Sequence, residues 1–187
     1  MGDKQQGRRQ RVLWGAIGLG LCLLVWGSET LASTRGEKES LQGLLGVVVK
    51  RLTVVSSPER VSASLPLHDI RLSVERQLKQ AGIPVLDSPP ARTAAHYSFL
   101  HIQGAIRQIA KQFYAYTIVI ELQQYATLSR NSTHPLVVTW SVGALSTGDI
   151  TKFQQRVSLL MEKFIQDYHE ANAHLSPDGT LSQGISL

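Results

Sequence analysis

The sequence predicts an α+β fold, a two-layer sandwich in which a mostly antiparallel sheet carries two helices on one face. Three observations carry this. Phe113–Leu128 places Tyr114, Tyr116, Ile118, Ile120 and Leu122 at every second position, with a wetter set between them. Leu67–Ala81 and Ile150–Ala171 repeat their apolar residues every three or four positions. The connections among the segments from Tyr97 to Ala144 are too short for crossover helices. Period two marks a strand with one buried face, and period 3.6 marks a helix with one buried stripe.

The elements follow in order. Leu45–Val55 is rich in β-branched residues (Val47, Val48, Val49, Val54, Val55) and predicts a strand. Ser56–Ser64 reads as a loop. In Leu67–Ala81 one stripe is made by Ile70, Val74 and Leu78, with Leu67 beside it. Pro66 suits the first turn, Asp69 favours the positive end of the helix dipole, and Gly82 stands where a left-handed cap belongs. Ile83–Leu86 predicts a short strand ended by Ser88-Pro89-Pro90. Tyr97–Ile109 predicts a longer strand, with Gly104 as a candidate bulge, and Ala110-Lys111-Gln112 is its turn. In Phe113–Leu128, Tyr114, Tyr116, Ile118, Ile120 and Leu122 point one way; Ala115, Thr117, Val119, Glu121 and Gln123 point the other. Leu136–Ala144 continues the meander, with Leu136, Val138, Trp140 and Val142 on one side. The last helix uses Ile150, Phe153, Val157, Leu160, Met161, Phe164 and Tyr168. The predicted order is β-α-β-β-β-β-α, with both helices on the same face.

The N-terminal segment predicts the compartment. Lys4, Arg8, Arg9 and Arg11 precede Val12–Gly27, 16 residues without a charge, and the polar step Ser28–Ser33 follows. Basic, apolar and small-residue regions in that order read as a secretory signal peptide over residues 1–32, with Thr30 and Ala32 at the cleavage positions and the cut between Ala32 and Ser33. The rival is an uncleaved inner-membrane anchor, which needs about 20 apolar residues and at least roughly 17. Either form places the bulk of the chain outside the cytoplasm. Contact with a membrane is then expected only through residues 12–27, if they are retained. The predicted organisation is a signal peptide or N-terminal membrane anchor (1–32), a linker (33–44), a single domain (45–172) and a disordered tail (173–187).

Removing residues 1–32 leaves 15 basic and 12 acidic residues, a formal charge of +3. That is too mild and too dispersed for a nucleic-acid footprint. The single cysteine, Cys22, lies in the signal, so no disulfide or thiolate metal site is expected beyond it.

Four segments carry a resemblance: Leu78–Leu86 (LKQAGIPVL), Phe113–Leu128 (FYAYTIVIELQQYATL), Val138–Gly143 (VTWSVG) and the helix containing Met161–Tyr168 (MEKFIQDY). These resemble a loose group of uncharacterised exported bacterial proteins in which a KAGI-V helix exit, a YAYSI-VEL strand, a TWS-G strand and a VDKFINDY helix recur. The resemblance covers about 100 residues and implies fold and export; no activity is assigned to the group. The element order also looks like that of small envelope domains that assist transporters or outer-membrane assembly.

Local spacing offers little chemistry. His96 and His101 are five apart on a predicted strand and face opposite sides. His169 and His174 stand roughly 140° apart on a helix turning about 100° per residue. Ser141 lies inside a strand and not at a nucleophile elbow. Glu121 has no acidic neighbour in sequence, Asn131-Ser132-Thr133 reads as a turn, and neither phosphate-binding glycine loop occurs. No catalytic residue, metal or cofactor is therefore expected. Tyr97, Phe99, Tyr114, Tyr116 and Trp140 are the residues singled out, as core aromatics or as the lining of a groove. The expected function is a non-enzymatic periplasmic or cell-envelope domain that binds a protein or envelope component. The alternative is a small-ligand or lipid carrier with an apolar groove between sheet and helices.

Overall fold

The computed structural model describes residues 34–57, 59–87 and 97–174. The predicted signal peptide, with Ala32 and Ser33 at its cleavage site, His96, and the tail from residue 175 lie outside the described residues. The elements are α1 (Arg35–Glu39), β1 (Val47–Val49), β2 (Thr53–Ser57), α2 (Arg60–Ala63), α3 (Leu67–Gln80), β3 (Ser98–Ala110), β4 (Phe113–Tyr125), β5 (Leu136–Gly148) and α4 (Lys152–Asn172). They form the expected α+β sandwich, an open mixed sheet of five strands with α3 and α4 on one face.

β3, β4 and β5 form the antiparallel meander. β1 and β2 lie end to end along the other side of β3 and run parallel to it, Val47–Val49 beside Ser98–Leu100 and Thr53–Ser57 beside Gln103–Arg107. The single strand predicted over 45–55 is thus interrupted at 50–52, where Leu52 turns into the core and Lys50 and Arg51 do not. The short strand predicted at Ile83–Leu86 is reduced to one parallel bridge, Val85 beside Val47. Gly46 permits it, because a Cβ there would stand 2.9 Å from the Pro84 carbonyl oxygen.

Gly104 is not a bulge. It pairs in register with Ile118, and its missing Cβ leaves room for the Phe153 ring, whose Cζ would stand 2.8 Å from such a Cβ. The irregularity of β3 lies between Gln108 and Ala110, beside a tight turn in which Gln112 takes φ +60°.

β5 departs from its predicted phase. Leu122 pairs with Trp140, but Gln123 pairs with Val138, so Thr139 is an extra residue. Side-chain direction flips across such a residue. Trp140 and Val142 therefore enter the core while Leu136 and Val138 stand exposed on the opposite face.

The core lies between the sheet and the helices. Ile70, Val74 and Leu78 of α3 meet Phe153, Val157, Leu160, Met161 and Phe164 of α4 over Leu100, Ile102, Ile118, Ile120 and Trp140. Trp140 stacks edge-on against Phe164 at 4.9 Å, and Tyr116 lies 5.7 Å from Phe153.

Candidate functional surface

The five aromatics singled out from the sequence do not share one surface. Tyr116 and Trp140 are buried in the core, Tyr114 packs at its margin, and Tyr97 is half-buried just before β3. Phe99 alternates to the uncovered face, where it meets Tyr125 edge-on at 6.4 Å and the Lys50 ammonium at 4.8 Å.

That uncovered face has two characters. Its middle is polar: Glu121 accepts hydrogen bonds from Gln103 (3.1 Å) and Gln123 (3.4 Å), and Lys50 donates to Gln123 at 2.8 Å. His101 joins through Gln103 at 3.4 Å. Glu121 is thus a carboxylate held by two amides. Toward the β3–β4 turn an apolar row follows, Val55, Ala105, Thr117 and Leu145 across four strands, and beyond it a mixed row of Ser57, Arg107, Ala115 and Thr147. Val55 and Leu145 are 64% and 63% exposed, and between them opens a cleft of about 420 Å³.

A second feature is built around Asp167. This residue follows Leu160 and Phe164 by seven and three positions, on the stripe that α4 turns to the sheet, and it is 0% exposed. Burying an unpaired carboxylate is prohibitive, so partners must surround it. Trp140 donates its indole N–H at 3.1 Å, Lys163 donates from one turn earlier, and Lys38 of α1 lies 3.1 Å away. Lys38 also pairs with Glu170 at 2.6 Å. Three of the segments behind the sequence resemblance reach this neighbourhood: the TWS strand through Trp140 and Ser141, the last helix through Lys163 and Asp167, and the YAYSI-VEL-like strand through Leu122, which pairs with Trp140.

The same contacts dock α1, a segment expected to be a linker. Thr34 and Glu37 form a reciprocal capping box. Ser141 donates to Glu37 at 3.1 Å, and Ser40 donates to the Thr139 carbonyl at 3.1 Å. Gly43 N–H and Asn172 close the junction at 2.8 Å. α1 buries no side chain of its own, so polar contacts alone hold it on β5 and α4.

Those contacts shift the acids and base that make them. Burial alone would raise Glu37, but hydrogen bonds from Thr34 and Ser141 outweigh it and hold the carboxyl below its ordinary value. The bonds from Lys38 and Gln166 lower Glu170, and the bonds to Glu170 and Asp167 raise Lys38. A lowered carboxylate stabilises the fold above its unfolded pKa and loses that contribution as pH falls through the folded value; a raised lysine contributes below its unfolded pKa and loses it as pH rises through the folded value. The attachment of α1 is therefore expected to be complete between about pH 5 and pH 10 and to weaken outside that window. Carboxyl-carbon NMR titration should place the midpoints of Glu37 and Glu170 below 4.5. Midpoints at or above it would show that α1 is not docked in solution.

Among the described residues no three His, Cys, Asp or Glu side chains gather as a metal site, and no helix is long and apolar enough to cross a membrane. His169 and His174 are both exposed near the end of α4.

No protein-family model matches the chain, and no curated protein matches it in sequence. Among solved structures, a PelC dodecamer from Paraburkholderia phytofirmans is similar at 14% sequence identity and a TM-score of 0.42, over 76% of this chain and 96% of that one, a likeness too distant to carry a functional argument.

Proposed function

We propose that this chain is a non-enzymatic domain of the bacterial cell envelope, exported by its N-terminal segment, that binds a partner protein by accepting a strand on the outer edge of β5. One observation carries the reading: β5 ends the sheet, yet its 13 residues contain no charge and no proline. Natural sheet edges are protected by lysines, prolines, bulges or a covering segment, because an exposed row of N–H and C=O groups templates pairing with another chain. In β5 the bulge and the α1 contacts fall at one end, around Thr139–Ser141. From Ser141 to Gly148 the strand runs in unbroken register with β4 and is uncharged. An extended partner segment fits such an edge, with main-chain hydrogen bonds giving affinity and alternate side chains giving specificity.

The test is a photo-crosslinking amino acid placed in intact cells at Thr147 on the edge, or at Leu72 on the exposed side of α3. A discrete adduct is expected from Thr147 and not from Leu72. Leu145→Lys, which puts a charge beside the edge, should reduce that adduct at least tenfold. Equal adducts from both positions, or an adduct indifferent to the lysine, would overturn the proposal.

A further inference from the structure

We propose that the cleft on the uncovered face is a binding site for a fatty carboxylate, its hydrocarbon chain lying between Val55 and Leu145 and its carboxylate on Arg107. The site stands on the sheet register. Strands are about 4.8 Å apart, so Val55 on β2 and Leu145 on β5 face one another across about 14 Å. Each projects a branched aliphatic side chain that is mostly exposed, while between them β3 and β4 carry Ala105 and Thr117, with Arg107 and Ala115 on the next row. Val55 and Leu145 rise on either side of a floor of small side chains and leave an open apolar trough over β3 and β4, roughly 10 Å across. Its volume of about 420 Å³ lies in the range of small-molecule sites.

The charge around it selects the occupant. No acidic residue lines the cleft, and its one charged group is Arg107, on the row beside Ala115. Arg107 makes no ion pair among the described residues and stands exposed at one end of the trough. A guanidinium offers a planar fork of donors that matches a carboxylate. At the opposite end the floor passes Val119 and meets Gln103 and Glu121, which are engaged with each other and end the apolar track. One cation beside a short apolar run that ends at a polar stop describes a small amphiphile with one anionic head group. A bilayer surface is the poorer fit, since it would press lipid onto the polar strip of Gln103, Glu121 and Gln123. The site shares only Leu145 with the β5 edge, so it does not depend on the strand-addition reading.

Protein purified from the envelope of cells expressing the full chain would be dialysed against labelled dodecanoate below its micellar concentration, with dodecanol and dodecyltrimethylammonium as controls. One saturable site for dodecanoate is expected, at least tenfold tighter than for either control. Each two-carbon lengthening of the acid should tighten binding about fourfold, as for methylenes half removed from water. Arg107→Gln should cost at least tenfold for dodecanoate and little for dodecanol, and Ala105→Trp, which fills the floor from an exposed position, should abolish binding of both. Circular dichroism would verify that both variants fold, and neither touches the β5 edge, so the Thr147 adduct should survive in both. Absence of saturable binding, equal affinity for acid and alcohol, or binding unmoved by Ala105→Trp would overturn the proposal.

Discussion

Replacing Asp167 with alanine is expected to lower the stability of the domain by about 3 kcal/mol, read as a fall in melting temperature of roughly 10 °C. The argument follows from what the carboxylate touches. Its Oδ2 is the acceptor for the Trp140 indole, which is itself fully buried beside Phe164, so the alanine variant leaves that N–H without its partner at a cost of about 1–3 kcal/mol. Its Oδ1 binds Lys163 and Lys38. These two ammonium groups are partly exposed and can return to water, so their loss adds less than a fully buried pair would. Asp167→Asn separates the contributions, because its amide oxygen can still accept from Trp140 while the charge is gone; it should cost about 1 kcal/mol. Glu170→Ala, which removes only a half-exposed partner of Lys38, should lie within about 0.5 kcal/mol of the parent. Equal losses from Asp167→Ala and Glu170→Ala would show that the buried node has no special weight. The alanine variant should also release α1, since Lys38 loses one of its two anchors; faster proteolysis within 34–44 would report it.

Asp167 shows how the sequence both did and did not disclose this architecture. Phe153, Val157, Leu160 and Phe164 recur at spacings of four, three and four, and the next step of three falls on Asp167. A charge in phase with an apolar stripe signals a buried, partnered group. Reading Tyr168 as the end of the stripe passes over it. α1 was similarly legible in one respect. Residues 34–40 contain no apolar side chain and give no period, but Thr34-x-x-Glu37 has the spacing of a capping box. What holds α1 in place comes from residues about 100 and 130 positions away, which no local window contains.

β4 and α3 were readable because each has one buried face, and burial imposes its period on the composition. β5 was readable only in part. Leu136, Val138, Trp140 and Val142 alternate without a break in the sequence, and nothing in that run reveals that Thr139 is extra. The pairing with β4 decides it, because Leu122 and Gln123 face opposite sides and each takes its own partner. The cleft is a property of register alone. Val55, Ala105, Thr117 and Leu145 are ordinary in their own segments and become a row only when β2 runs parallel to β3 at one particular offset.

The largest single loss is expected at Phe153, and Gly104 is the means of testing why. Phe153→Ala should cost about 4 kcal/mol, since the ring is fully buried between Gly104, Val54 and Tyr116 at the start of α4. Gly104→Val should cost about 2 kcal/mol for the opposite reason. A Cβ at that position would stand 2.8 Å from Cζ of Phe153 and 3.3 Å from Cγ2 of Val54, so the ring must be displaced from a packed site. If glycine is present at 104 to admit the ring, the two substitutions cannot be additive. With Phe153 reduced to alanine, the valine has no ring to meet and occupies part of the vacated volume. The double variant should then be no less stable than Phe153→Ala alone, a coupling of about 2 kcal/mol in a double-mutant cycle measured by urea unfolding. Additive losses would mean that valine harms the strand itself. That outcome would be unexpected for a β-branched residue in a central strand whose register with Ile118 is regular.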